Sequence, residues 1–107
     1  MKRVGILGAT GAVGLEATEA LLDHPWFDVS NLYASVKSAG RRYRDASRLD
    51  LSNLPEKILD RIVLNVDEFR PYLDDIVFSA LPSEEAKKHE PKTAQYLPTM
   101  STTSAFR

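Results

Sequence analysis

The sequence predicts a doubly wound α/β domain, in which a parallel β-sheet carries helices on both faces. Two observations lead to this fold class: short apolar runs alternate with helix-like stretches, and a glycine-rich turn joins the first run to the first helix-like stretch. Strands that alternate with helices form parallel sheets through crossover connections. Because the chain has only 107 residues, we expect a single core and one domain.

The first third of the chain predicts two strands and one helix. Residues 2–8 form an apolar run typical of a buried strand, and residues 12–23 follow with helical spacing. The predicted apolar stripe of this helix consists of Val13, Ala17, Ala20 and Leu21. Pro25 ends the helix because proline disfavours helical geometry in the residue before it. Residues 28–34 then form the second strand.

The middle of the chain is less regular. Residues 35–50 are polar and basic and predict a loop, whereas residues 51–61 are ambiguous and are compatible with a short helix after Pro55. Residues 62–66 return to an apolar run, which predicts the third strand.

The last part of the chain repeats the alternation. Residues 75–81 predict a fourth strand and residues 83–96 a helix, with Ser83 as its N-cap. Residues 97–101 start a fifth strand. Asp74, which precedes the fourth strand, is expected to face water.

Composition excludes several classes of function. The net charge of −1 gives no electrostatic reason to expect a nucleic acid or an anionic membrane as partner. No apolar run approaches the roughly 20 residues that span a bilayer, and no signal peptide precedes the first strand. A cytoplasmic protein is therefore expected. The absence of cysteine excludes disulfides, thiolate metal sites and a thiol nucleophile within these residues. His24 and His89 are too far apart to suggest a metal site, and both are expected at the surface or at a helix end.

The turn between the first strand and the first helix carries glycines at every third position, Gly8, Gly11 and Gly14. A glycine at the strand end permits a tight turn, a second admits a pyrophosphate close to the backbone, and a third lets the helix pack on the sheet. The helix N-terminus supplies unpaired N–H groups at the same point, and Thr10 adds a hydroxyl. A ligand-free turn is the alternative. At a strand–helix junction the pattern favours a dinucleotide, and hence a Rossmann-like fold.

The end of the second strand indicates which dinucleotide is bound. NAD sites place an acidic residue about 20 residues after the glycines, on the ribose 2′-hydroxyl. The corresponding stretch contains no acid and offers Ser35, Lys37 and Ser38 instead. Hydroxyl groups and a cation suit a 2′-phosphate, so the sequence predicts NADP. For the arginines that follow we favour a solvated basic loop: Arg41, Arg42 and Arg44.

The turn after the fourth strand is predicted to face the same crevice. Ligands of open parallel sheets lie across the carboxyl ends of the strands. We therefore expect Ser79, Leu81 and Pro82 to line the path of the cofactor.

Several segments together resemble one enzyme family. "GILGATGAVG", "DHPWF", "ASVKSAGRRYRDA", "DIVFSALPSEEAKKHEP" and "STTSAFR" occur in the order found in aspartate-semialdehyde dehydrogenases, most like the branch typical of archaea and fungi. The resemblance covers nearly the whole chain and is weakest over residues 49–72. It implies NADPH-dependent reduction of L-aspartyl 4-phosphate to aspartate 4-semialdehyde, a step toward lysine, threonine and methionine.

The resemblance also assigns residues. It implies that Thr10, Gly11, Ala12 and Val13 bind the pyrophosphate. It places Ser35, Lys37 and Ser38 at the 2′-phosphate, with Lys37 where arginine is expected, and Thr102 near the nicotinamide where the family has asparagine. The family's cysteine nucleophile, its histidine acid/base and its substrate arginines lie in a later domain that also forms the dimer. No catalytic residue is therefore expected within residues 1–107. The chain is interpreted as an incomplete, NADP-binding, Rossmann-like domain that is truncated before the catalytic and dimerisation domain. Alone it is expected to be inactive. For the full-length form a homodimer or homotetramer is expected.

Two alternatives remain open at this point. A fragment of a malonyl-CoA or related acyl-CoA reductase would share the fold and the cofactor. A stand-alone nucleotide-binding module without catalysis would share only the fold and the turn.

Overall fold

The computed structural model of the protein describes residues 1–101 and consists of a five-stranded sheet flanked by helices. The order of the strands is β3-β2-β1-β4-β5, and every neighbouring pair is parallel. The strands are β1 (Lys2–Leu7), β2 (Phe27–Ala34), β3 (Leu64–Asn65), β4 (Ile76–Ser79) and β5 (Thr99–Ser101). The predicted doubly wound α/β fold is confirmed.

Four helices and one 3₁₀ turn connect the strands. They are α1 (Ala12–Ala20), α2 (Tyr43–Ala46), α3 (Glu56–Leu59), the 3₁₀ turn Val66–Glu68 and α4 (Ser83–Ala94). Helix α3 resolves the ambiguity of residues 51–61, since a short helix does follow Pro55. Helix α2 lies inside the stretch predicted as a loop, because one buried aromatic residue, Tyr43, anchors an otherwise polar turn.

The two faces of the sheet bury separate apolar clusters. In β1, Val4 and Ile6 point into the first cluster and Leu7 into the second, as the alternation of side chains along a strand requires. The first cluster takes one fully or nearly buried side chain from each of the three helices on that face, Leu15, Tyr43 and Ile58. The second contains Tyr33, Val77 and Ala86.

Helix α1 faces the sheet through a different set of residues from the predicted stripe. Its buried residues are Gly14, Leu15 and Thr18, whereas Val13 is 44% exposed. Ala17 and Leu21 still pack against the first cluster as partly buried neighbours. The close approach at Gly14 orients the helix so that Gly14, Leu15 and Thr18, rather than Val13, are buried against the sheet.

Asp74 is buried, contrary to the expectation that it faces water. Its carboxylate accepts hydrogen bonds from Tyr33 Oη at 2.6 Å, from Asn31 Nδ2 at 2.9 Å and from the Ser30 hydroxyl. The carboxylate occupies the space beside Gly5, where an added Cβ would lie 2.7 Å from Asp74 Cγ. The absence of a side chain on Gly5 therefore makes room for a buried, fully hydrogen-bonded carboxylate.

Two smaller expectations also change. Helix α4 begins at Ser83 itself, with Pro82 in the N-cap position, so Ser83 does not cap it. His89 is buried rather than at the surface. Within residues 1–101, no helix is both long enough and apolar enough to cross a membrane.

Candidate functional site

The glycine turn is tied to the sheet at the carboxyl end of β1. Gly8 has φ = +76°, a conformation that side-chain-bearing residues rarely adopt. The N–H groups of Gly8 and Ala9 both donate to the carbonyl oxygen of Tyr33 in β2, at 2.9 and 3.0 Å. The turn therefore leaves β1 sharply while staying fixed to the neighbouring strand.

Gly14 allows α1 to pack directly against this turn. A Cβ on Gly14 would overlap the carbonyl oxygen of Gly8 and would lie 2.8 Å from Ala9 Cα. Both neighbours are backbone atoms, which cannot move aside as a side-chain end could. The third glycine thus has the packing role that the sequence predicts.

Gly11 precedes the first helical residue and leaves the helix N-terminus open. It adopts an extended conformation and makes no side-chain cap, and a Cβ there would meet only the Gly8 carbonyl oxygen at 3.7 Å. Within the part of the chain that the structure describes, the N–H groups of Ala12 and Val13 donate to no protein acceptor. Both residues are exposed. The turn presents the positive end of a helix dipole with free donors, which suits an anion.

Helix α2 braces the turn from the other side. The Tyr43 hydroxyl donates to the carbonyl oxygen of Ala9 at 2.5 Å, and the Ser47 hydroxyl donates to that of Thr10 at 3.4 Å. Tyr43 is fully buried, and this burial raises its pKa to about 12. Sequence reasoning missed this brace because Tyr43 reaches the turn only through the folded structure, across 34 positions in the chain.

A cleft of about 380 Å³ lies in front of the turn. Six of the residues that line the cleft are residues that the sequence predicts at the cofactor site: Gly8, Thr10, Gly11, Ser35, Leu81 and Pro82. The carboxyl ends of β1, β2 and β4 therefore meet at one cavity, as expected for an open parallel sheet. Val66 and Glu85, which sequence reasoning did not single out, also line the cleft.

The loop after β2 carries two serine hydroxyl groups and one lysine, and its first residue, Ser35, lines the cleft. Ser35 and Lys37 are exposed and Ser38 is half-buried. The loop is compact because the N–H groups of Ser38 and Ala39 donate to the carbonyl oxygen of Ser35, at 3.0 and 3.1 Å. No acidic residue stands at this end of β2.

The arginines beyond this loop have other partners. Arg42 pairs with Asp45 and, at 3.7 Å, with Asp60. Arg44 pairs with Asp60 at 2.7 Å and with Glu56. These ion pairs link α2 to α3 at the surface. They support the interpretation of Arg42 and Arg44 as solvated residues that do not bind the cofactor.

Ser79 lies deeper than the cleft wall. It is fully buried at the end of β4, where it stands in register with Leu7 of β1 and Ser101 of β5. The Ser101 hydroxyl donates to Glu90 Oε2 at 2.8 Å, and Glu90 is fully buried in α4. Thr102, expected near the nicotinamide, lies outside the described residues.

A short polar chain runs along the α4 side of the cleft. Glu85 Oε2 lies 3.5 Å from His89 Nε2, and Asp67 Oδ1 lies 3.8 Å from His89 Nδ1. Burial lowers the pKa of His89, and the nearby carboxylate of Asp67 opposes this shift. The imidazole thereby links a carboxylate in the cleft to the 3₁₀ turn.

Known proteins resemble the chain over almost its whole length. The family model "Semialdehyde dehydrogenase, NAD binding domain" matches residues 3–107. An aspartate-semialdehyde dehydrogenase from Methanothermobacter thermautotrophicus is 41% identical over all of this chain and 31% of its own length. One from Aspergillus fumigatus is 38% identical over 83% of this chain and 25% of its own.

A solved structure shares the fold closely. The aspartate-semialdehyde dehydrogenase of Candida albicans, crystallised with NADP, superimposes with a TM-score of 0.90 and 34% identity, over 99% of this chain and 30% of that one. The chain spans less than a third of the length of each of these three relatives.

Proposed function

The chain belongs to the semialdehyde dehydrogenase family, whose NAD-binding domain it matches, and on this premise we propose that it binds NADP as the cofactor domain of an aspartate-semialdehyde dehydrogenase. The Candida albicans relative, crystallised with NADP, supports the choice of nicotinamide cofactor. The geometry of the glycine turn carries the proposal for this chain.

The turn fits a pyrophosphate in shape and in donor chemistry. Gly8 and Gly14 bring strand, turn and helix together closely, and Gly11 leaves space in front of the helix. The free N–H groups of Ala12 and Val13 would donate to phosphate oxygens, and the Thr10 hydroxyl would add a third donor. The dipole of α1 favours the negative charge at this point.

The loop after β2 supports NADP over NAD. Ser35, Lys37 and Ser38 would bind a 2′-phosphate through hydroxyl groups and one ammonium group. An acidic residue that would accept from a free 2′-hydroxyl is missing from this end of the strand. Lysine supplies a point charge without the two-pronged geometry of arginine, so the contact depends on charge more than on orientation.

We further propose that the reaction is reduction of L-aspartyl 4-phosphate to aspartate 4-semialdehyde, which the resemblance to aspartate-semialdehyde dehydrogenases implies. When bound, NADPH supplies the hydride. Because residues 1–107 contain no cysteine, a thiol nucleophile and the groups that bind substrate would come from a catalytic and dimerising domain outside these residues. The role of this chain is then to bind and orient the cofactor in a cytoplasmic, oligomeric enzyme.

Isothermal titration calorimetry with NADPH and NADH tests the cofactor assignment. We expect saturable binding of NADPH with one site per chain and weaker binding of NADH. Tighter binding of NADH would contradict the assignment of the 2′-phosphate loop. No binding of either dinucleotide, by a chain that melts cooperatively, would contradict the role of the turn.

A further inference from the structure

We propose that Glu85 recognises the adenine base of the cofactor by accepting a hydrogen bond from its exocyclic 6-amino group, and is thereby a specificity-determining residue for the base. This inference rests on the proposed function. It concerns the part of the ligand that neither the glycine turn nor the loop after β2 would bind.

The cleft contains one carboxylate that the phosphate chemistry does not explain. Glu85 lines the same cavity as Gly8, Thr10 and Gly11, and a carboxylate repels phosphate groups. Its side chain is 55% exposed and has no lysine or arginine partner within the described residues. A carboxylate in a dinucleotide cleft therefore suits an uncharged hydrogen-bond donor on the ligand.

Each wall of the cleft would contact a different part of the cofactor. The glycine turn would face the pyrophosphate, and Ser35 at the end of β2 would face the ribose 2′ side, since both line this cleft. The remaining wall consists of Val66 in the 3₁₀ turn, Leu81 in the turn between β4 and α4, and Glu85 in the first turn of α4. Val66 and Leu81 are nearly buried aliphatic side chains. Two aliphatic groups beside one hydrogen-bond acceptor suit a flat base that has apolar faces and a polar edge.

His89 lies beside the Glu85 carboxylate. Its imidazole is buried, and Nε2 lies 3.5 Å from Glu85 Oε2 on the next turn of the helix. A contact at this distance would favour a Glu85 side chain that stays beside α4, and would thus lower the conformational entropy lost when a ligand binds. The 6-amino group is the hydrogen-bond donor on the edge of adenine, and it matches an acceptor-only carboxylate.

Cofactor analogues separate this role from a structural one. We would measure by calorimetry the affinities of NADPH and of its hypoxanthine analogue, in which a carbonyl oxygen replaces the 6-amino group. The native chain should prefer NADPH by about tenfold or more, because the analogue sets a carbonyl oxygen against the carboxylate. Glu85→Ala should bring the ratio of the two affinities close to one. Glu85→Gln should do the same or invert the ratio, because its amide can donate to the carbonyl oxygen.

Glu84→Ala is the matched control. Glu84 is the preceding residue of the same helix turn, its side chain is 89% exposed, and it pairs with Lys87 at 3.9 Å outside the cleft. This variant should keep the native ratio, and thermal melts would show that all variants fold. A ratio that stays at the native value in Glu85→Ala would overturn the inference while leaving the NADP assignment intact. Failure of the native chain to bind NADPH would instead overturn the proposed function.

Discussion

The carbonyl oxygen of Gly8 lies against the α-carbon of Gly14, so closely that a methyl group on Gly14 would overlap it. The turn after β1 and helix α1 thus meet at this point through backbone atoms. Gly14→Ala would force the helix away from the sheet, and we expect a loss of about 2–3 kcal/mol in the free energy of unfolding. NADPH affinity should fall with it, because the N–H groups of Ala12 and Val13 move with the helix. Urea unfolding and calorimetric titration measure the two effects.

Gly11→Ala provides the contrast within the same turn. A Cβ on Gly11 meets its nearest neighbour at 3.7 Å, which is ordinary van der Waals contact. We expect the unfolding free energy to change by less than about 1 kcal/mol, while NADPH binding weakens because the methyl group occupies the approach of the phosphate. Equal loss of stability in Gly11→Ala and Gly14→Ala would contradict the different roles assigned to the two glycines.

The stability contributed by the hydrogen bond from Tyr43 to Ala9 should depend on pH. At pH 8, Tyr43→Phe should lower the free energy of unfolding by about 1–3 kcal/mol, because the buried Ala9 carbonyl oxygen loses its donor. Burial raises the pKa of Tyr43 to about 12 in the folded chain, above its ordinary value of about 10. The unfolded state therefore loses this proton first as pH rises, and the stability that Tyr43 contributes declines between these two values.

Urea unfolding of the native chain and of Tyr43→Phe, at intervals from pH 8 to pH 12, measures this decline. The stability difference between the two proteins should shrink across that range. Tyr33, whose pKa burial also raises, is present in both proteins and cancels in the comparison. A difference that stays constant up to pH 12 would show that the hydroxyl of Tyr43 is not held protonated by the fold.

Gly5 and Asp74 should be energetically coupled. Gly5→Ala places a methyl group 2.7–2.9 Å from the carboxylate atoms of Asp74, and we expect it to destabilise the chain by about 1–3 kcal/mol. In an Asp74→Ala background the same change should cost much less, since the space is empty. A double-mutant cycle in urea measures the coupling, and additive losses would show that the two residues do not compete for this space.

Lys37 should set the preference for NADPH. Lys37→Ala is expected to weaken NADPH binding roughly tenfold, because one charge-assisted contact to the 2′-phosphate is lost, and to leave NADH binding unchanged. Raising the salt concentration should reduce the native preference, because Lys37 is exposed and its charge is screened. Lys57→Ala, at an exposed lysine in α3, is the control and should change neither affinity.

Local signals in the sequence are sufficient to predict the fold class and the position of the glycine turn. Short apolar runs between helix-like stretches located all five strands, and the glycine spacing located the turn, because both signals depend on neighbours within a few positions. The apolar runs overestimated some lengths: residues 62–66 were predicted as the third strand, whereas β3 covers only Leu64–Asn65. Strand ends are set by pairing with a neighbouring strand, which local sequence does not specify.

The features that sequence reasoning missed depend on partners distant in the chain. Tyr43 meets Ala9 across 34 positions, and Asp74 meets Tyr33 across 41. A polar residue is expected at the surface until the fold supplies its hydrogen-bond partners, which is why Asp74 and His89 were misplaced. Glu85 is recognisable from the sequence as an acid in the first turn of α4, but only the folded cleft shows that it lines the same cavity as Gly8.

Backbone amide chemical shifts of the isotopically labelled chain, recorded by NMR during titration with NADPH, test the central claim most directly. If the glycine turn holds the pyrophosphate, the resonances of Gly11, Ala12 and Val13 will show the largest changes and will saturate with the calorimetric affinity. If NADPH binds while these three amides remain at their starting positions, the phosphates lie elsewhere and the assignment of this turn is wrong.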